Sequence, residues 1–403
     1  MIIRKAYKYR LKECRDVLKL FAQIAGCCRL VWNRALVLQK FRLDNGLKIL
    51  TYAEACKELA LWKGQTELSF LKDVPSQALQ QVLKDLDRAI REALLKKKGF
   101  PRFKKKFKDD SFRYPQGCKI EGNRISLPKI GWVSFFHSVD PKGEIKNVTI
   151  CKKGKHWYSA VQTECEVEEP KHPSSLGVGI DLGVCRFATL SRGHFYEPLN
   201  SFKQLANELA VEQRKLKHKQ KFSNNWKKQQ RRITSRHTKI ANARRDYLHK
   251  ISTEISKNHA IIMIEDLKVS NMSRSAKGTE EMPGKNVKQK SGLNRSILDQ
   301  GWYEFRRQLE YKQQWLGGKV IVVPPQHTSQ KCLECHYTCK ENRKTQSLFQ
   351  CIACGYTAHA DFVGANNVLA AGQAVSACGS NLKRDRKQEP AEIREESLLL
   401  KLT

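Results

Sequence analysis

The sequence predicts a multidomain α+β protein, in which a mixed α/β domain follows an N-terminal helical lobe and a small β module. Three observations predict it. Two apolar runs, "GVGID" at 177–181 and "IIMIE" at 261–265, have strand length and each ends in a carboxylate. Two CxxC pairs stand between a third apolar run, "KVIVV", and the last apolar helical stretch. Ahead of these lie helical stripes and then short alternating runs broken by turn residues, the pattern of a helical lobe followed by an all-β module.

Bulk properties narrow the function. The 403 residues suffice for two to four domains with real cores. Lys plus Arg number 75 against 40 Asp plus Glu, a formal net charge of +35. A charge that large repels itself in isolation, so a polyanionic partner is the natural inference. The apolar runs "AIIMI" and "KVIVV" are too short to span a bilayer. The N-terminus "MIIRKAYKYRLKECR" lacks the apolar region of a secretory signal. Fourteen Cys are too sparse for a disulfide scaffold, so a reducing cytoplasm is expected, with no membrane partner.

In chain order, residues 1–12 read as a basic strand. From Arg15 to Gln39 an apolar stripe of Leu18, Phe21, Ala25, Cys28, Trp32 and Ala35 predicts a helix. A second helix follows Pro75, with Ser76 as N-cap and Leu79, Leu83, Leu86, Ile90 and Leu94 as its buried face. Its other face carries Gln77, Gln80, Gln81 and Lys84. Gln can bond an adenine edge in two places, which makes Gln77 and Gln80 candidate readers of duplex DNA. The stretch "KKKGFPRFKKKFK" then brings eight Lys or Arg, no acid, and Phe100, Phe103 and Phe107 interleaved. Cations pair with phosphates and ring faces stack on bases, so Arg102, Phe103, Lys104, Lys105 and Lys106 are candidate nucleic-acid contacts. The competing reading is a solvated linker whose Phe rings dock on a core. Short runs such as "EGNRISLP" and "GKHWYSAVQ", from Ser111 to about Glu168, predict a small barrel-like β module.

Three strands in meander spacing follow, "LGVGIDLG", "RFATLSR" and "HFYEP", and then one long helical stretch from about Phe202 to Asn258. Between Arg214 and Lys250 it holds fourteen Lys or Arg and one acid, Asp246. That imbalance, which includes Arg231 and Arg232, needs a polyanion to be comfortable. The strand "AIIMIEDL", a Ser-, Gly- and Lys-rich linker over 270–292, a helix at about 295–316 and the strand "KVIVVPP" complete this part.

Asp181 and Glu265 end two core strands, and Asp361 follows in "HADFVGANNVLAAG", where Asp361, Ala365, Val368 and Leu369 share a helix face. An ionised carboxylate beside a core strand is expensive unless a cation meets it. Three of them on separate elements could converge on a pair of Mg²⁺ ions, which take hard oxygen ligands and support in-line phosphoryl displacement. Actin-fold ATPases open with a string close to "GIDLG", but they need a second Gly-rich phosphate loop. Here the later strand runs into "EDLKVSN" instead. In "CLECHYTCKENRKTQSLFQCIACG", Cys332, Cys335, Cys351 and Cys354 form two CxxC turns that together can complete a tetrahedral, structural Zn²⁺ site. His336 and Cys339 leave a Cys₃His variant open.

With these motifs assembled, the chain resembles the TnpB (OrfB-type) proteins of bacterial insertion sequences, relatives of the type V CRISPR effectors. The resemblance runs from about residue 1 to 371. It rests on "GCCRLVWNRAL", "GFPRFKKKF", "GVGIDLGV", "RRITSRHTKIANARRDYLHKIS", "IEDLKVSNM", "SGLNRSILDQGWYEFRRQLEYK", "VVPPQHTSQKC" and the CxxC pairs. It implies a RuvC-like (RNase H-like) nuclease with a zinc-ribbon insertion, joined to a helical recognition lobe and a wedge β-barrel. On this chain that means a first wedge strand at 1–12, recognition lobe at 13–98, wedge at 99–172, nuclease at 173–327, zinc insertion at 328–356, last nuclease helix at 357–375 and a disordered tail at 376–403. The activity implied is RNA-guided, Mg²⁺-dependent cleavage of double-stranded target DNA beside a short transposon-adjacent motif, supporting the transposition of an insertion sequence. Asp181, Glu265 and Asp361 become the catalytic triad. The guide RNA comes from the transposon end, and the protein is a monomer in a ribonucleoprotein near the nucleoid. Alternatives are an RNA-guided repressor with little cleavage and a strand-transferring transposase.

Two departures from the family stand out. Its usual Asp-Arg-Asp-x-Asn is His359, Ala360, Asp361, Phe362, Val363 here, and His336 replaces the Gly after Cys335. If these positions only tune the site, Arg at 360 and Asn at 363 should leave activity equal or higher.

Overall fold

The computed structural model describes residues 1–12, 14–106 and 110–382. Phe107 and the expected tail from residue 383 onward lie outside the described residues. The chain divides into two compact units, Met1–Val167 and a second from Glu168 on.

In the first unit, β1 (Ile2–Leu11) leads into α1 (Arg15–Asp44), α2 (Tyr52–Gly64) and, after a 3₁₀ turn at Thr66–Lys72, α3 (Ser76–Leu94). The expected stripe of α1 is buried at Phe21, Ala25, Cys28, Trp32 and Ala35. Thr51 starts α2 with a full capping box, its side chain bonded to Glu54 N–H and the Glu54 carboxylate to the Thr51 N–H. The start of α3 corrects the sequence reading. Pro75, with its fixed φ, is the capping residue, Ser76 is already helical, and no side chain caps the turn. Leu79, Leu83, Leu86 and Ile90 are buried as expected, whereas Leu94 in the last turn is exposed.

The strands β2 (Ser111–Tyr114), β3 (Lys119–Glu121), β4 (Arg124–Leu127), β5 (Gly131–Phe136), β6 (Glu144–Lys153) and β7 (His156–Glu166) join β1 in one antiparallel sheet of order β2-β6-β7-β1-β5-β4-β3. Among the described residues β2 and β3 form no ladder with each other, so the sheet stays open, although the Tyr114 hydroxyl reaches Pro128 O. Its inward face and the helices share one core. Phe21 of α1 packs against Phe112 of β2 and Trp157 of β7, with ring centroids 5.8 and 5.3 Å apart.

The second unit is built on β8 (Gly177–Asp181), β9 (Ala188–Leu190) and β10 (Phe195–Tyr196), an antiparallel meander. The long helical stretch is two helices, α4 (Ser201–Lys217) and α5 (Asn224–Asn258). They break because Ser223 caps α5, its hydroxyl accepting from Trp226 N–H. After β11 (Ile261–Glu265) and the short α6 (Val269–Met272), the helix expected near 295–316 is also two: α7 (Val287–Gln300) and α8 (Trp302–Leu316). Gly301, with φ of 74°, separates them in a conformation that Gly adopts without steric cost. β12 (Lys319–Val323), the hairpin β13 (Leu348–Gln350) and β14 (Thr357–His359), and α9 (Ala360–Leu382) complete the chain. The sheet order is β10-β9-β8-β11-β12, with β11 parallel to both β8 and β12.

Helix α9 lies directly on β8. A Cβ at Gly179 would stand 2.1 Å from Ala365 O and 2.6 Å from Leu369 N. Only glycine lets the helix backbone approach the strand this closely. No helix among the described residues is long and apolar enough to cross a membrane.

Candidate functional site

Parallel pairing of β8 with β11, in register Ile264↔Ile180, puts the carboxyl ends of both strands side by side. Carboxyl ends of parallel strands are where open α/β sheets tend to place their ligands. Asp181 and Glu265 close these two strands. The third acid, Asp361, sits in the first turn of α9, where the helix dipole favours negative charge. The close seat of α9 on Gly179 brings it there. Gly364 completes the fit, since a Cβ at that position would stand 3.2 Å from the Asp181 carboxyl carbon. All three acids line one cavity of about 470 Å³, together with Arg186, Thr328, Arg343 and His359.

The electrostatics of this cavity are unsatisfied. Burial, then the nearby Glu265 and Asp361 charges, push Asp181 up to about 7, against opposing pulls from Arg343 and the Leu182 N–H. Burial also raises Glu265, and a hydrogen bond from Thr328 Oγ1 to Glu265 Oε1 (2.6 Å) and the Arg343 charge work the other way. Asp181 and Glu265, held up in this way and converging with Asp361, fit a site for hard divalent cations, which would supply the missing positive charge.

Three residues here were missed in the sequence. Thr328 fixes the Glu265 carboxylate, and its own loop is held by Asn367, whose Nδ2 donates to Thr328 O and Lys331 O, both at 2.8 Å. Arg343, on the loop between the CxxC pairs, turns its charge toward the acids. It is one of several bases in that loop, and nothing in its local sequence marks it. His359 caps α9, its Nδ1 accepting from Asp361 N–H at 3.2 Å.

The two departures at 360 and 363 have a packing reason. Ala360 and Val363 are buried, Val363 completely, in a small core with Cys332, Phe349 and Cys351. Arg or Asn there would have to enter that apolar core, which is costly unless a partner meets the polar group.

The four cysteine sulfurs of the two CxxC turns lie within 4.8 Å of one another. Cys332 and Cys354 stand 3.6 Å apart, and Cys335 and Cys351 3.5 Å. Tetrahedral ligands about 2.3 Å from Zn²⁺ would be about 3.8 Å apart, so the set could hold a structural zinc. Cys339 is instead paired with Glu341.

The candidate nucleic-acid residues are spread out. Gln80 is exposed on α3, whereas Gln77 is half-buried, with Oε1 sealed from solvent. The backbone of the basic segment docks on α1, where Trp32 Nε1 donates to Arg102 O (3.0 Å) and Asn33 exchanges two bonds with Lys104. The Phe100 and Phe103 rings nevertheless stay outside, 39% and 47% exposed, with Lys40 over both. Lys104 lies over Trp32, and Lys105 and Lys106 are exposed. On α5, Arg231 and Arg232 are exposed, and the Arg232 charge reaches Glu212 of α4.

Comparison with known proteins decides the family. Over 393 residues, covering 96% of this chain and 98% of the relative, the sequence is 54% identical to "Putative RNA-guided DNA endonuclease InsQ" of Escherichia coli K12. Residues 160–276 match the OrfB family of IS605, described as probable transposase. The chain belongs to this OrfB (TnpB) family. "Putative RNA-guided DNA endonuclease" of Streptomyces pristinaespiralis is 29% identical over 96% of the chain and 93% of its own length. Residues 302–368, which contain all four zinc-site cysteines, match the Cas12f1-like TNB domain. Residues 1–48 match a helix-turn-helix domain of the OrfB family, although here they form a strand and one long helix, α1. The fold is similar to a Cas12f1 chain solved in complex with sgRNA and target DNA, with a TM-score of 0.54 and 14% identity over 91% of this chain and 98% of that one.

Proposed function

We propose that the protein is an RNA-guided DNA endonuclease of an insertion sequence, cutting target DNA at the cavity of Asp181, Glu265 and Asp361. The observation that carries the reading is the convergence of these three acids from β8, β11 and α9 on one cavity with Arg343. It agrees with what OrfB-family relatives are named for. The sheet order and the crossing of α9 over β8 support a RuvC-like (RNase H-like) nuclease domain from residue 173 to 375, interrupted by a zinc insertion at 328–356.

Asp181, Glu265 and Asp361 would hold two Mg²⁺ ions, which supply charge stabilisation to the attacking and leaving oxygens of phosphodiester hydrolysis. The protein's own part is to position. Thr328 locks one oxygen of Glu265, Asn367 anchors the Thr328 loop, and His359 sets the first turn of α9 and hence Asp361. Arg343 offers a guanidinium to the phosphate that enters the cavity. The four cysteines would hold zinc and brace that loop.

Guide RNA from the transposon end and double-stranded target DNA are the partners that the +35 charge suits. In this reading Arg102, Phe103, Lys104, Lys105, Lys106, Arg231 and Arg232 take phosphates and bases, and Gln80 reads a base edge of the motif flanking the target. Sequencing the RNA that copurifies with the protein, then supplying Mg²⁺ and a matched duplex, tests the reading. Cut, unjoined ends are expected. Joined ends would point to a strand-transferring transposase, and binding without any cut to a repressor.

A further inference from the structure

Antiparallel sheets that cover a core on one face present polar side chains on the other. The outward face of the first unit's sheet does not. On β5 the inward positions, Val133 and Phe135, belong to the core, while the outward ones hold Trp132 and Phe136, 43% and 51% exposed. The register puts Phe136 opposite Arg10 on β1, and Arg10 opposite Tyr158 on β7, so these side chains form one row across three strands. Each ring carries a cation. Arg10 and Lys12 lie 5.2 and 5.7 Å from the Phe136 centroid, Lys8 4.4 Å from Tyr158, and Arg124 of β4 5.6 Å from Trp132. The outward acids of this face sit away from the rings: Glu121 opposite Arg124 on the edge strand, and Glu144, Glu164 and Glu166 at the far ends of β6 and β7, where Glu164 pairs with Arg4. Cation–ring pairing stabilises such a surface only modestly. It gives no reason to leave so much Trp and Phe area in water.

We propose that this sheet face is a stacking platform for an unpaired stretch of RNA, with the rings taking bases and the neighbouring cations taking phosphates. Stacking requires open base faces, which a duplex does not offer, so single-stranded nucleic acid fits and duplex DNA does not. RNA fits better than a DNA strand because Ser126 and Ser134 stand among the rings on the same face, opposite Trp132 and Arg124, where hydroxyls can bond a 2′-OH. The occupant is an unpaired segment of the guide, and only this last identification rests on the RNA-guided reading.

The test uses the full-length protein and three probes: a short oligouridine, its DNA counterpart and a blunt RNA duplex. Binding is measured at elevated salt, where phosphate contacts weaken and stacking persists. Trp132→Ala and Phe136→Ala should each weaken oligouridine binding about five- to a hundredfold. Trp132→Phe should restore most of it, and duplex affinity should stay at the wild-type value. Unchanged oligouridine affinity in the double alanine variant, with an unchanged melting temperature, overturns the proposal. Equal losses on the duplex, or a wild-type affinity no higher for oligouridine than for its DNA counterpart, overturn it too. A protein that holds oligouridine through these rings yet never cuts DNA would remove the guided-nuclease reading and leave the platform standing.

Discussion

At Asp181 the cost and the function are the same charge. Its folded-state pKa of about 7 lies above the value near 3.9 of an unfolded Asp, so the folded protein binds this proton more tightly. Stability therefore falls as pH rises from about 4, and the loss is complete above about 7, with a ceiling on the order of 4 kcal/mol for this one group. Asp181→Asn should raise the melting temperature by a few degrees at pH 8 without divalent cations and change it little near pH 4. Calorimetry at the two pH values reads this directly, and a lower melting temperature at pH 8 would refute it. The same variant should lose target cutting while RNA and target binding persist. Glu265→Gln, nearly isosteric, should do almost the same, because ligand charge and not volume is lost. Ca²⁺, less exacting in geometry than Mg²⁺, should support binding with little or no cutting.

Among the elements, α9 does the most. It brings Asp361 to the cavity only because Gly179 lets it lie on β8, and because Ala360 and Val363 fit under the cysteine knuckle. Gly179→Ala puts a methyl within clashing distance of Ala365 O, so α9 must shift. Overpacking of this kind costs about 1–3 kcal/mol, and cutting should drop far more than RNA binding. Val363→Asn buries an amide among Cys332, Phe349 and Cys351, for a loss of about 1–3 kcal/mol seen in chemical denaturation. A stability equal to wild type would mean that the amide finds a partner there. Cys351→Ser should release the one zinc expected per chain and expose 328–356 to limited proteolysis, since structural zinc binding is folding free energy. Freshly purified wild-type protein without zinc in elemental analysis would rule this out.

For the whole molecule, the excess of 35 positive charges sets how it meets nucleic acid. Binding should weaken steeply with salt, because each phosphate neutralised releases counterions. The 102–106 segment is anchored by its backbone to α1, with the Lys104 head packed over Trp32 and Lys105 and Lys106 exposed, the arrangement of a fixed cationic ridge. Replacing Lys104, Lys105 and Lys106 by Gln should flatten the logarithmic salt slope by up to about three units. An unchanged slope would show that these lysines face solvent in the complex.

Local chemistry was legible without coordinates wherever it depends on spacing. Two CxxC turns bring four thiols together, strand-length apolar runs ending in Asp181 and Glu265 announce buried carboxylates, and helical stripes such as that of α1 mark their own buried faces. Helix ends were less legible. The breaks at 218–223 and at Gly301 interrupt apolar periodicity for too few residues to be seen in it. What chain separation hides had to come from tertiary structure. Thr328 meets Glu265 across 63 residues and Asn367 meets Thr328 across 39, contacts made by polar residues of ordinary type. Arg343 differs from its neighbouring bases only by the direction it faces. Trp132 and Phe136 share a face of β5 by alternation, but Tyr158 joins them only through the register of β5, β1 and β7.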